Sequence, residues 1–261
     1  MNKQNHAVRI LGTRVQDTTE SETLAFLESA LQESRQVAVF TPNTEMIMAA
    51  WKDQAFRERL NRAEWVIPDG IGLLHAARMQ KKPIRQRVTG FDTSVALLKL
   101  AAKMGKGVFF LGGAKGVAQQ AKEKVEAEIP GLQIVGVHHG YFPGLHIGKP
   151  GTEEEESVIE MINDSGAEVL FVGFGMKKQE DWIDTYRDRL KPIVLIGNGG
   201  TMDGLAGLVP RAPEIWQRLG LEWLYRLAKQ PSRLKRQMVL PHFLWLALVK
   251  KDMVEEEKGK K

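Results

Sequence analysis

One pattern limits the possible folds more than any other feature of this chain. Short runs rich in Val, Ile, Leu and Phe alternate with longer segments whose apolar residues recur at three- and four-residue spacing. The runs are QVAVFTPN, EWVIPDG, GVFFLGG, QIVGVHHGYF, EVLFVGFG and KPIVLIGNGG; the longer segments include TEMIMAAWKDQAFRERLNRA and TSVALLKLAAKM. A strand covered on both faces reads as a continuous apolar run, and a covering helix buries a single stripe. The alternation therefore predicts an α/β protein with a Rossmann-like, mostly parallel sheet covered by helices. A chain of 261 residues has room for one such domain and an appendage.

The boundary is expected around GLVPRAP, where two prolines interrupt the alternation and the charge turns basic. We read residues 1–208 as the α/β core, 209–251 as a C-terminal helical appendage, basic and amphipathic, and 252–261 as a charged, disordered tail. On this reading the sheet folds without the segment that begins at Arg211. From there to Lys251 the chain carries Arg211, Arg218, Arg226, Lys229, Arg233, Lys235, Arg236, Lys250 and Lys251 against Glu214 and Glu222. Because the whole chain has a formal charge of only +5, this local excess points to an anionic partner at that end. The longest apolar run, MVLPHFLWLALV, is about half of the roughly 20 residues that span a bilayer. With no cysteine and no signal-like N-terminus, the default expectation is a cytosolic protein without disulfides. The acidic run in GKPGTEEEE reads as a solvated helix start.

Ligands of open α/β sheets bind beyond the carboxyl ends of the strands. Those ends are polar or glycine-rich here: Thr41 and Asn43, Asp69 and Gly70, Gly112 and Gly113, Gly140 and Tyr141, Gly173 and Gly175, then Asn198, Gly199, Gly200 and Asp203. Glycine turns between strand and helix suit backbone amides approaching a phosphate. A dinucleotide site is disfavoured, since GGAKG departs from G-x-G-x-x-G and no ribose-binding acid follows, and no P-loop motif occurs. His138 and His139 point to opposite faces of a strand, which argues against a metal pair. Asp69, taken alone, reads first as a helix N-cap. Thr41, Asn43 and the segment RVTGFD bring hydroxyl, amide and guanidinium groups to the same end of the sheet, and this favours a chemical role.

Seven segments in order, TPNTEM, VIPDGIGLLHAAR, RVTGFD, FFLGGAKGVAQQA, PGLQIVGVHHGYF, LFVGFGMKKQEDWI and DGLAGLVPRAPEIWQRLGLEWLYRLAKQPSRLKR, resemble the WecG/TagA/CpsF glycosyltransferases over nearly the whole chain. The resemblance implies an inverting transfer of N-acetylmannosamine from UDP to the 4-hydroxyl of undecaprenyl-diphosphate-linked N-acetylglucosamine. The products feed teichoic acid linkage units or other surface polysaccharides. It implies a protein attached peripherally to the inner face of the plasma membrane, self-association, and no cofactor or essential metal; no D-x-D occurs in the chain. By position it implies Asp69 as general base and Thr41, Asn43, Arg87 and Gln179 around the donor sugar and diphosphate. Tyr141, Lys178, Gly199, Gly200 and Asp203 fall to nucleotide and substrate, with His75 and Asp92 as secondary polar groups. Arg211, Arg218, Arg226, Arg233 and Arg236 fall to the acceptor diphosphate or an anionic membrane surface.

Two positions depart from the family pattern, Lys177 in place of proline and Met202 in place of an aromatic residue. They bear on donor identity, because an N-acetylmannosaminuronic acid donor needs a cation that Lys177, Lys178 or Arg87 could supply. The neutral donor is preferred. A nucleic-acid-binding protein built on the arginine-rich end is the rival from another class, but it leaves the polar strand ends without a purpose, so no nucleic-acid partner is expected.

Overall fold

The computed structural model describes residues 6–210, 212–213, 215–216, 222–229 and 238–257. Six parallel strands form the main sheet: β3 (Val37–Phe40), β4 (Trp65–Val66), β5 (Gly107–Gly112), β6 (Gln133–His138), β7 (Val169–Gly173) and β8 (Val194–Gly197), ordered β4-β3-β8-β7-β5-β6. Each falls within one of the six apolar runs. Alternate residues of a strand face opposite sides, and this divides the core in two. Phe40, Phe109, Leu170, Val172 and Leu195 face one layer; Val39, Phe110, Phe171, Val194 and Ile196 face the other. Both layers are covered, so β3, β5, β7 and β8 are buried along their whole length.

The helices of the first layer include α2 (Thr44–Lys52), α3 (Gln54–Arg62), α4 (Ile71–Met79), α7 (Glu153–Asp164) and α8 (Lys178–Tyr186). On the other face lie α1 (Glu20–Gln32), α5 (Gly90–Met104), α6 (Val117–Glu128) and the short α9 (Thr201–Leu205). Their starts are capped as their sequences require: Thr19 makes a reciprocal capping box with Glu22, and Asn43, Asp53, Thr89 and Thr152 each accept a backbone N–H of the first turn. The acidic start of α7 is not wholly solvated as expected. Glu155 is fully buried and accepts bonds from Leu145 N, Gly151 N, Trp182 Nε1 and Tyr186 Oη, which tie down the loop before the helix.

A second, antiparallel sheet corrects the expectation for the C-terminus. Strands β1 (Ala7–Ile10) and β2 (Thr13–Gln16) form a hairpin whose two turn residues, Leu11 and Gly12, both have positive φ, as a twisted two-residue hairpin requires. Strand β9 (Val254–Glu256) pairs with β1 on its other side, and Glu257 binds Arg9 and Arg14. Residues 252–257 are therefore built into the fold rather than disordered; 258–261 lie outside the described residues. Among the described residues the helices α10 (Glu222–Lys229) and α11 (Val239–Val249) precede β9. Phe243, Leu246 and Ala247 of α11 are buried in the first core layer, and Leu240 presses against Gly72 of α4. The line drawn at residue 208 does not detach the C-terminal end from the core, because the apolar run that looked like appendage supplies part of that core.

Candidate active site

Strands β3, β8, β7 and β5 end nearly level, since Gly197 pairs with both Phe40 and Val172, and Gly112 with Gly173. A cavity of about 710 Å³ opens beyond the ends of β4, β3, β8 and β7. Thr41, Asn43, Asp69, Arg87 and Gln179 all line it, as do Gly199, Gly200 and Asp203. Residues from five separate segments thus converge where the sheet topology directs a ligand.

Asp69 is not the N-cap residue of α4, a position that Gly70 holds. Arg87 is bound to Asp69: its Nε donates to the Asp69 carbonyl at 2.8 Å, and its Nη2 lies 3.8 Å from Asp69 Oδ1. The same Nη2 donates to Glu222 at 3.1 Å. Glu222, largely buried at the start of α10, also lines the cavity. The Arg87 guanidinium thus joins the end of β4 to the C-terminal segment, where Glu222 lies 135 positions beyond Arg87 in sequence. This part of Glu222 was illegible in the sequence, where it counted only against the basic excess.

Two of the remaining residues are held by structural bonds. Asn43 Oδ1 caps α2 through Met46 N at 3.0 Å. Gln179, almost fully buried, accepts from Gly175 N at 3.1 Å and donates to Glu180 Oε1 at 2.7 Å. It braces the turn after β7 against the turn after β8. Glu180 was also missed; fully buried below the cavity, it accepts from Lys177 N at 2.7 Å, and burial pushes its carboxyl up to about 7.

Other expected residues stand elsewhere. Tyr141 follows the edge strand β6, is 73% exposed and does not line the cavity, because β6 is three places from β8 in the sheet. Lys178 begins α8 outside the cavity lining. His75 is exposed on α4, and Asp92 accepts from the Thr89 hydroxyl at 2.6 Å at the start of α5; neither lines the cavity. Arg211, Arg218, Arg233 and Arg236 lie outside the described residues, as does the side chain of Arg226, whose backbone belongs to α10.

The two departures from the family pattern leave the cavity wall as well. Lys177 has φ +70, a value closed to proline, and its Nζ binds Asp53, the N-cap of α3, at 2.5 Å. Met202 is buried in the core layer behind the cavity. Lys124 of α6, not anticipated, contributes a cation to the lining beside Gly207.

The chain matches the model of the glycosyl transferase WecG/TagA/CpsF family over residues 8–256. It is 31% identical over 236 residues to the N-acetylglucosaminyldiphosphoundecaprenol N-acetyl-beta-D-mannosaminyltransferase of Bacillus spizizenii, covering 89% of this chain and 88% of that protein. An enzyme of the same name from Staphylococcus aureus strain MW2 is 29% identical over 253 residues, 96% of each chain.

Proposed function

The chain belongs to the WecG/TagA/CpsF family of glycosyl transferases, and from that membership we propose that it transfers N-acetylmannosamine from UDP-N-acetylmannosamine to the 4-hydroxyl of N-acetylglucosamine on undecaprenyl diphosphate. The observation that carries the reading is Asp69, a carboxylate at a strand end in the cavity, with Arg87 bound to its backbone carbonyl and standing 3.8 Å from its Oδ1. As the acceptor oxygen bonds to the anomeric carbon, Asp69 takes its proton. The bond from that carbon to the diphosphate breaks, and its electron pair leaves with UDP. A single displacement of this kind inverts the anomeric centre.

The departing diphosphate needs positive partners. Arg87 is the first, since its bonds to Asp69 and Glu222 use only part of a guanidinium's donor set. Backbone N–H groups near Gly199 and Gly200 add to it. Each well-placed donor contributes about 3 kcal/mol to the transition state, so two or three take the place of a metal ion. Of the three cations weighed for a uronic acid, Lys177 is tied to Asp53, Lys178 stands outside the cavity and Arg87 is assigned here to the diphosphate, which favours the neutral donor.

The lipid acceptor places the reaction at a membrane, for which we infer peripheral attachment on the cytoplasmic side. Among the described residues no helix is long and apolar enough to cross a membrane. Helix α11 exposes Met238 just before it and Trp245, Leu248 and Val249 along it, a face suited to lipid. The basic residues between 211 and 236 suit anionic headgroups, at about 1 kcal/mol each near such a surface.

The test is UDP release from UDP-N-acetylmannosamine and a lipid-diphosphate N-acetylglucosamine acceptor, in EDTA, for wild type and Asp69→Asn. Wild type is expected to turn over and the variant to lose at least about 100-fold in kcat, in the range that general-base removal costs. Full activity in the variant would remove Asp69 as the base, and loss of wild-type activity in EDTA would remove the metal-independent mechanism.

A further inference from the structure

One polar group in the cavity wall has its orientation decided entirely by its neighbours. Asn198, directly after β8, donates through Nδ2 to the Gly90 carbonyl at 2.7 Å and to Ser94 Oγ at 2.7 Å. A carbonyl oxygen can only accept, and the Ser94 hydroxyl donates its own proton to that same Gly90 oxygen at 2.7 Å. The nitrogen of Asn198 must therefore face both groups, and both of its protons are in use. Packing holds the amide plane: a Cβ on Gly90 would lie 3.0 Å from Asn198 Nδ2, 3.1 Å from its Oδ1 and 3.0 Å from Thr41 Oγ1. Asn198 lines the cavity together with Thr41 and Asp69, and its Oδ1 accepts no hydrogen bond among the described residues.

We propose that Asn198 is a specificity-determining residue, whose fixed Oδ1 accepts a hydrogen bond from the 6-hydroxyl of the transferred sugar and rejects the carboxylate that replaces that hydroxyl in a uronic acid. The proposal rests on the transferase reading above and deepens it. A carboxylate opposite Oδ1 sets two acceptors together with no proton between them. The amide cannot turn its nitrogen toward the ligand without breaking two bonds to Gly90 and Ser94. A site built to bond a ligand's donor group discriminates strongly against ligands that lack it, because the site's own polar group is then left unpaired.

The experiment compares kcat/KM for UDP-N-acetylmannosamine and UDP-N-acetylmannosaminuronic acid in wild type and Asn198→Ala, with UDP affinity measured by calorimetry. Wild type is expected to prefer the neutral donor by about 100-fold or more, and the variant to lower that ratio by about tenfold, mainly through loss on the neutral donor. UDP affinity should stay within about twofold, since the contact is to the sugar. An unchanged ratio overturns the proposal, and so does a parallel fall in UDP affinity, which would move Asn198 to the nucleotide. If the variant lacks a cooperative urea transition, wild type alone decides, because equal turnover of the two donors is equally fatal. Release of UDP from neither donor by wild type would instead sink the transferase reading, leaving the two failures distinguishable.

Discussion

Replacing Gly199 with alanine drives a wedge between the two glycine turns that form the cavity floor. The new Cβ would meet Gln179 Oε1 at 2.7 Å, Gly175 Cα at 2.8 Å and Gly175 N at 2.9 Å. Carbon contacts are comfortable from about 3.5 Å, so the turns after β7 and β8 must part by roughly 0.6–0.8 Å. Nothing there yields cheaply. Two of the three obstacles are backbone, and Gln179 is held at one end by Gly175 and at the other by Glu180. Overpacking in a close-packed interior costs about 1–3 kcal/mol. For a chain near this size each kcal/mol lowers the melting temperature by about 2–4 °C, so a fall of roughly 2–12 °C is expected. Because both turns line the cavity, a shift approaching 1 Å should also cost on the order of 100-fold in kcat/KM. The neighbouring Gly200→Ala is the control, with φ at −86° and nothing within 4 Å of its added Cβ. That variant should match wild-type stability or gain about 0.4–1 kcal/mol by restricting the unfolded chain. Thermal melts followed by circular dichroism and the UDP-release assay read both effects. If Gly199→Ala melts with Gly200→Ala and turns over at the wild-type rate, the tight approach of the two turns is wrong.

Two further predictions concern stability. Burial raises the Glu180 carboxyl from its ordinary 4.5 to about 7, so the folded chain keeps a proton that the unfolded chain releases between those values. The contribution of this group is therefore greatest below pH 4.5 and declines as pH rises to 7, by on the order of 3 kcal/mol. In urea melts, wild type should lose ground to Glu180→Gln between pH 5 and pH 8, and a gap that stays constant counts against a protonated Glu180. Truncation before Arg211, which a detachable appendage would survive, removes α11 and β9 and with them the fully buried Phe243, Met253 and Val254. At about 1.5–3 kcal/mol for each buried side chain, the loss approaches the whole stability of a typical domain. The truncated chain should show no cooperative melt, and a wild-type transition would restore the boundary at residue 208.

The cavity was partly legible because strand ends are legible. Thr41, Asn43, Asp69, Gly199 and Asp203 each follow an apolar run, and a parallel sheet brings such ends to one side. What those residues do there was harder to read. Asn43 and Gln179 have the right chemistry in the right place, yet each spends polar atoms on holding a loop. The ion contact between Arg87 and Glu222 has no local signal, since neither charge has a spacing that points to the other. Tyr141 followed the rule for strand ends and still missed the cavity, because sequence order does not state that β6 is the sheet edge.

By itself the sequence determined the layers of this protein: six parallel strands, their covering helices, and the polar ends from which a site could be assembled. Those features arise from short-range patterns, in which apolar periodicity and capping residues act within a few positions of each other. Only the tertiary structure decided the strand order, the pairing of β9 with β1 and the burial of α11. It alone turned the Asn198 amide, through a carbonyl and a hydroxyl more than 100 positions away. Contacts of that kind depend on which faces meet after the chain has collapsed, and a pairing between distant residues leaves no periodic trace in either one.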